Sequence, residues 1–475
     1  MATRVIPVSR RDLMRSGLAA GLVGCAGREE AKGDDTAEVP REPGRVDHVI
    51  VVMMENRSFD HYLGALSLEE GRADVDGLTG DEVNLDDDGV ERRPFHLTES
   101  CQLDPPHSWS SSRDQFNDGA NDGFVTKHDD SETRAADQSD WVMGYYGRDD
   151  LPAHYALADQ FCVPDRLFCS VMGPTWPNRF YGQTATSLGI TGNTLPLGSV
   201  YDQRSIYQAL AEVGEDWRYY YVDLPFVGLL ADHLGHTGVR TIERFHEDVA
   251  AGDLPAFTWI DPGFTFADDH PPHHVGLGQL YLALIAKSLA QSPLWERCLL
   301  VITYDEHGGF FDHVPPPTLR DDYADEGFDQ LGFRVPALVV GPWVTQGVDS
   351  TVYDNTSVLK YVCERWGITP WNKRLKATAS LGGCLDTDRM ATGIPLDPPV
   401  IPPFSAPEVE DLPPECTYDI GIAIPDSHPQ PELAEWVQRA APHLDRTADV
   451  PEIHARMVAL GRKLGLIVDP PGEAL

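Results

Sequence analysis

The sequence predicts an α/β fold, a doubly wound and mostly parallel sheet with helices on both faces. Two observations predict it. Several short runs are almost wholly apolar and β-branched, the pattern of strands covered on both faces. Between them lie stretches of helical period, so strands and helices alternate along the chain. The 475 residues are 41% hydrophobic and 24% charged, which suits a globular chain with a sizeable core.

Val46 to Met54 (VDHVIVVMM) is the first such run. Trp217 to Val222, Phe257 to Ile260, Leu299 to Tyr304 and Val335 to Val340 are the others. Ser205 and Gln208 have capping-box spacing, with Ile206, Leu210 and Val213 on one face behind them. A longer helix is predicted over Gln279 to Glu296, and another over Thr356 to Trp366, stopped by Gly367 and Pro370. The Asp-rich segment from Gly80 to Asp140 reads as loops over the top of the sheet. The domain predicted over 46–392 is followed, in 393–475, by a Pro-rich wrap and two helical stretches, Leu433 to Ala440 and Pro451 to Leu464.

The first residues read as an address. Ser9-Arg10-Arg11-Asp12-Leu13-Met14 before the short apolar run Leu18 to Val23 has the form of a twin-arginine export signal. Leu22-Val23-Gly24-Cys25 has the form of a lipobox, which makes Cys25 the candidate lipidated residue and residues 1–25 the signal; the plainer alternative is a signal peptide with an incidental cysteine. Residues 26–45 are polar and read as a tether. The expected location is therefore outside the cytoplasm, at a membrane surface. The other seven cysteines can form disulfides there, with at least one thiol left over. No CxxC pair occurs, which argues against a thiolate zinc site. With 37 basic and 75 acidic side chains the net charge is -38, and such a surface repels a polyanion, so nucleic acid is not an expected partner.

Ligands of open α/β sheets bind beyond the carboxyl ends of the strands. Two apolar strands here run into acidic pairs, Glu55-Asn56 and Asp305-Glu306. Three carboxylates and an amide oxygen brought together repel one another unless a cation sits among them, and an all-oxygen set suits a hard or borderline divalent ion. In Gly173-Pro174-Thr175-Trp176-Pro177 a turn leads into a helix with Thr175 at its N-terminus. There Thr175 is either a plain N-cap or a nucleophile beside a metal, with the helix amides favouring phosphate. His107 and His270 sit in loops stiffened by proline, which suits an imidazole placed where charge develops.

ENRSFDHYLG (Glu55 to Gly64), SVMGPTWPNRFY (Ser170 to Tyr181) and YDEHGGFFDHVPPP (Tyr304 to Pro317) resemble the bacterial phosphoesterase family of phospholipases C and acid phosphatases, within the alkaline-phosphatase-like superfamily. The DPPHSW loop, VMGYY, LPAFTWIDP and RVPALVVGPWV match in the same order, so the resemblance covers about Val46 to Gly367. It implies an alkaline-phosphatase-like fold and a divalent metal, of unspecified identity, held by Glu55, Asn56, Asp305 and Glu306. It implies Thr175 as a nucleophile forming a phosphoryl-enzyme, with His107 and His270 on the phosphoryl oxygens and the leaving-group proton. Asn178, Arg179, Asp312 and His313 look like supporting residues. One departure is Asp354-Asn355-Thr356-Ser357, where the family often has Asp-His-Thr-Ser; Asn355 cannot do acid–base work.

Thr175 resembles the phospholipase C branch, which implies a phospholipid substrate. The alternatives are an acid phosphatase acting on small phosphomonoesters and a catalytically inactive, surface-anchored binding protein. A sulfatase-like activity is disfavoured, since Cys169-Ser170-Val171-Met172-Gly173 lacks the Cys-x-Pro-x-Arg pattern.

Overall fold

The strand that carries the first acidic pair, β1 (His48–Met54), lies at the centre of the molecule, and every residue of it is buried. The structure is a computed structural model that describes residues 44–130, 140–194, 201–230, 233, 236–407, 412, 416, 431–440 and 450–467. The signal over 1–25 with Cys25, nearly all of the tether over 26–45, and most of the wrap between 408 and 430 lie outside the described residues. All that is described falls in one compact unit, Pro43–Leu475.

The other strands of the main sheet are β2 (Cys162–Pro164), β3 (Trp217–Tyr221), β4 (Val239–Thr241), β5 (Phe257–Ile260), β6 (Cys298–Tyr304), β7 (Ala337–Val340) and β8 (Gly347–Asp349). Their order is β8-β2-β7-β6-β1-β5-β3-β4. β1 is parallel to both β5 and β6, and among these eight strands β7 alone runs against the rest. Seven parallel strands and two layers of helix make this the doubly wound α/β fold that the sequence predicts. On one side the helices Pro152–Gln160, Ile242–Ala251 and Val450–Leu464 gather on Val275–Ala290. The helices Thr175–Thr184, Ile206–Glu212 and Ser357–Trp366 form the other group. The apolar runs bury because each strand is covered above and below, and they join one continuous core.

Boundaries shift where capping is unusual. Ile206–Glu212 has the full capping box between Ser205 and Gln208, and Ser357–Trp366 ends on Gly367 at φ 68°. The long helix, however, starts at Val275 rather than Gln279 and stops at Ala290 rather than Glu296. His274 caps it, its side chain accepting from the Gly276 amide, and two glycines in the first turn disguise the start. Pro293 forbids continuation. The Gly80 to Asp140 segment is more ordered than expected. It contains the helices Trp109–Phe116, capped by Ser108, and Phe124–Asp129; a Ser-rich helix has little propensity signal of its own.

Beyond residue 393 the chain passes the ends of β6 and β7, where Leu396 N donates to Pro342 O at 2.8 Å and its carbonyl accepts from Trp295 Nε1 at 3.1 Å. Trp436, on the helix Pro431–Ala440, donates to Gly228 O at 2.7 Å. A disulfide joins Cys101 to Cys416, 315 positions apart, with Cα atoms 5.2 Å from each other. The five other described cysteines, Cys162, Cys169, Cys298, Cys363 and Cys384, are buried free thiols.

Candidate active site

Register brings the two acidic pairs together. β1 and β6 are adjacent and parallel, with Met54 opposite Tyr304, so Glu55-Asn56 and Asp305-Glu306 leave the sheet side by side. Asp305 N donates to Met54 O, and Asn56 N donates to Asp305 Oδ1, both at 3.1 Å. Arg57 N donates to Glu306 O at 3.1 Å. Asn56 takes φ 61°, the left-handed region that Asn tolerates better than most residues. Gly308, at φ 64°, closes the turn after Glu306: its amide donates to Glu306 Oε2 at 2.7 Å, and a Cβ there would lie 2.2 Å from Asn56 O.

All four candidate ligands are buried at 0% exposure. Both Glu55 oxygens, Asn56 Oδ1 and Glu306 Oε1 have no hydrogen-bond donor. Burial pushes the Glu55 carboxyl well above its ordinary range, Asp305, Asp268 and Glu306 push it further, and Arg179 opposes them. Burial likewise raises Asp305, where Arg179 opposes and Glu306 adds, and Glu306, where His107 opposes. Buried acceptors without donors cost roughly 1–3 kcal/mol each. A divalent cation would satisfy them, and an oxygen set of this kind fits a hard one. The donor chemistry of these residues therefore suits the metal that the family resemblance implies, while among the described residues the carboxylates of Glu55, Asp305 and Glu306 are not all within 4.8 Å of one another.

Thr175 opens the ten-residue helix Thr175–Thr184 and is buried. Arg179, four residues on, shares its face. Its Nε lies 3.2 Å from both Glu55 Oε1 and Asp305 Oδ2, while Nη1 reaches Asp261 Oδ1 at 3.0 Å and Nη2 donates to Met53 O at 3.0 Å. Thr175 stands on that same face, one helical turn nearer the N-terminus. Asn178 shapes the turn before the helix, accepting from Val171 N at 3.0 Å and donating to Val171 O and Gly173 O at 3.2 and 3.0 Å. The helix dipole favours an anion beside Thr175, while of the first-turn amides Trp176 N donates to Asn193 Oδ1 at 2.8 Å and Pro177 has no N–H to offer.

His107 and His270 close the site from the other side. Their ring centroids are 6.0 Å apart. His107 Nδ1 donates to Pro105 O at 2.7 Å, which turns Nε2 inward, 3.3 Å from Asn56 Nδ2 and 3.6 Å from Glu306 Oε1. Burial alone would lower the His107 pKa, but Glu306 and Asp104 outweigh it and raise it to about 9. Asp268 Oδ1 accepts from His270 N at 2.9 Å and pairs with His273 Nδ1 at 2.5 Å. Asp104, His107 and His270 bring one ligand-type atom each within 4.8 Å of one another.

Asp312 and His313 sit elsewhere: their side chains bond to Arg334 and to Asp60. Asn355 Nδ2 donates to Asp305 O at 2.9 Å, so it braces the backbone of a candidate ligand. Sequence reasoning missed Asp104, Asp261 and Asp268. Asp104 stands inside the DPPHSW motif and Asp261 inside LPAFTWIDP, at the end of β5, while Asp268 lies two residues before His270; the contact with Arg179 shows what Asp261 does.

The sequence profile of the phosphoesterase family matches residues 46–369, and the chain belongs to that family of phosphoester-hydrolysing enzymes. Non-specific phospholipase C1 of Arabidopsis thaliana is 35% identical over 340 residues, which are 64% of this chain and 62% of the plant protein. Phospholipase C A of Mycobacterium tuberculosis is 30% identical over 496 residues, covering 90% of this chain and 93% of the relative. A solved structure from Vibrio parahaemolyticus, titled as a protein in the alkaline phosphatase superfamily, matches with a TM-score of 0.36 and 11% identity, covering 70% of this chain and 69% of that one.

Proposed function

We propose that this protein is a metal-dependent phospholipase C that cleaves phospholipid head-group esters through a phosphothreonine at Thr175. The observation that carries the reading is the group of buried, donor-less oxygens on Glu55, Asn56 and Glu306 beside the helix that Thr175 begins. The phospholipase C names of the relatives support the substrate class. Glu55, Asn56, Asp305 and Glu306 would hold the cation, which lowers the pKa of a neighbouring hydroxyl and neutralises phosphoryl charge.

Thr175 Oγ1 passes its proton to solvent and forms the new bond to phosphorus as the bond to the diacylglycerol oxygen breaks, and the departing oxygen takes a proton from His107 or His270. Water then attacks phosphorus, giving a proton back to that histidine, and the Thr175 oxygen leaves and takes a proton from solvent. The helix dipole at Thr175 favours the phosphoryl charge throughout, and the Asn178 bonds keep the turn in place.

The test incubates the protein with phosphatidylcholine and with p-nitrophenyl phosphate across divalent metals. Diacylglycerol release is expected. Turnover of the monoester alone would favour a phosphatase, and no turnover of any phosphoester would sink the reading. Thr175→Ala should lose activity by about a thousandfold or more with its fold intact; an active variant refutes the nucleophile. The twin-arginine and lipobox motifs support a separate part of the proposal, an enzyme exported from the cytoplasm and anchored through lipidated Cys25. Fatty-acid labelling that survives Cys25→Ser would overturn the anchor.

A further inference from the structure

Arg334 is fully buried and belongs to none of the groups above. Its guanidinium joins the two segments that carry the candidate ligands. Nε donates to Asp312 Oδ1 at 2.8 Å, on the segment that follows Asp305-Glu306. Nη2 donates to Asp60 Oδ1 at 2.9 Å, on the segment that follows Glu55-Asn56. Nη1 donates to the carbonyls of Asp76 and Asp165 at 2.5 and 2.9 Å, fastening both segments to the wall of the fold.

The joint is doubled. His313 presents both its backbone N and its Nδ1 to Asp60 Oδ2 at 2.7 Å. The Asp60 amide donates to Asp312 Oδ2 at 3.3 Å, and Phe59 N donates to Arg334 O at 3.1 Å. Ser58 Oγ donates to Phe311 O at 2.6 Å. Asp60 is four residues from Asn56 and Asp312 six from Glu306, so whatever fixes Asp60 against Asp312 fixes one acidic pair against the other. A lone stability role would not require the bonds to converge on these two segments.

We infer that Arg334, with Asp60, Asp312 and His313, is a positioning clamp that sets the spacing of the two acidic pairs for the cation. The inference rests on the metal reading above and goes beyond it by assigning residues that touch neither cation nor substrate. Outer residues that orient metal ligands typically govern affinity or activity by about 10–100-fold, and a small misplacement of reacting groups costs rate rather than substrate binding.

The experiment measures cation affinity by chelator competition with Mn²⁺, kcat and KM on phosphatidylcholine, and thermal midpoint. The proteins are the wild type, Arg334→Lys, His313→Gln and, as a control, Arg218→Met. Arg218, on β3 beside the edge strand β4, is ion-paired with Asp248 and Asp253. The expected result for Arg334→Lys is about 10–100-fold weaker cation binding and lower kcat, with KM nearly unchanged. His313→Gln, which leaves Arg334 in place, should show a smaller loss in the same direction and serves if Arg334→Lys does not fold. Arg218→Met should lose thermal stability alone. Folded clamp variants with wild-type cation affinity and kcat would overturn the clamp, as would an equal loss of cation affinity in Arg218→Met. A wild type that takes up no cation would overturn the metal reading, and the clamp with it.

Discussion

Replacing Glu55 by Gln keeps the side chain's shape and removes its charge. Without a cation the wild-type carboxyl is buried among Asp305, Asp268 and Glu306, has no hydrogen-bond donor on either oxygen, and has only Arg179 Nε, 3.2 Å away, to offset it. Its pKa is pushed well above the ordinary value of 4.5. A carboxyl raised in the folded state costs stability above its unfolded pKa, because the unfolded chain ionises it freely and the fold does not. Glu55→Gln removes that cost, so at pH 7 in chelator the variant should be the more stable by on the order of 1–3 kcal/mol. With divalent cation at a hundredfold excess over its dissociation constant, the wild type should gain about 2.7 kcal/mol. The variant, short of one anionic ligand, should gain much less, so most of its lead should be lost. Urea denaturation at pH 7, with chelator and with cation, reads both differences. A variant that is less stable in chelator and equally stabilised by cation would refute the reasoning.

Two further outcomes follow from other parts of the structure. Burial lowers the His154 pKa to about 4, and the ring is held between Gln279 Nε2 at 2.7 Å and the Tyr304 hydroxyl at 3.1 Å. It is neutral in the fold, so its contribution is intact above its unfolded pKa of 6.5 and declines as pH falls from 6.5 towards 4, by about 3 kcal/mol in all. Urea melts between pH 7 and 4 should show that slope shrink in His154→Gln, and an unchanged slope contradicts the assignment. Gly308→Ala places a Cβ against the Asn56 carbonyl at a positive φ. It should cost about 1–3 kcal/mol and weaken Mn²⁺ binding, since relief of the clash must move Asn56; a calorimetric scan and a chelator titration check the two effects.

The central strands were legible because burial on both faces leaves a continuous apolar run, and β1, β3, β5, β6 and β7 all lie within a residue or two of their predicted bounds. β2, β4 and β8 were not: three residues at or near a sheet edge carry too little pattern. The disulfide partner of Cys101 was equally hidden, because pairing over 315 positions depends on where the wrap crosses the fold. The two acidic strand ends could be seen, and their residue types already implied a cation. Asp261 and Arg334 stand in the family motifs LPAFTWIDP and RVPALVVGPWV, but their roles could not be read there, since nothing local marks a side chain whose partners come from distant segments.

By itself the sequence determined the fold class and the kinds of chemical group available, because periodicity and residue type are local properties. Tertiary structure decided which groups meet. The in-register pairing of β1 with β6 sets Glu55 beside Asp305, the pitch of one helix turns Thr175 the same way as Arg179, and Asp312 and His313 are drawn off to Asp60 and Arg334. Only the path of the whole chain fixes distances between residues some 250 positions apart, and the chemistry of this site depends on those distances.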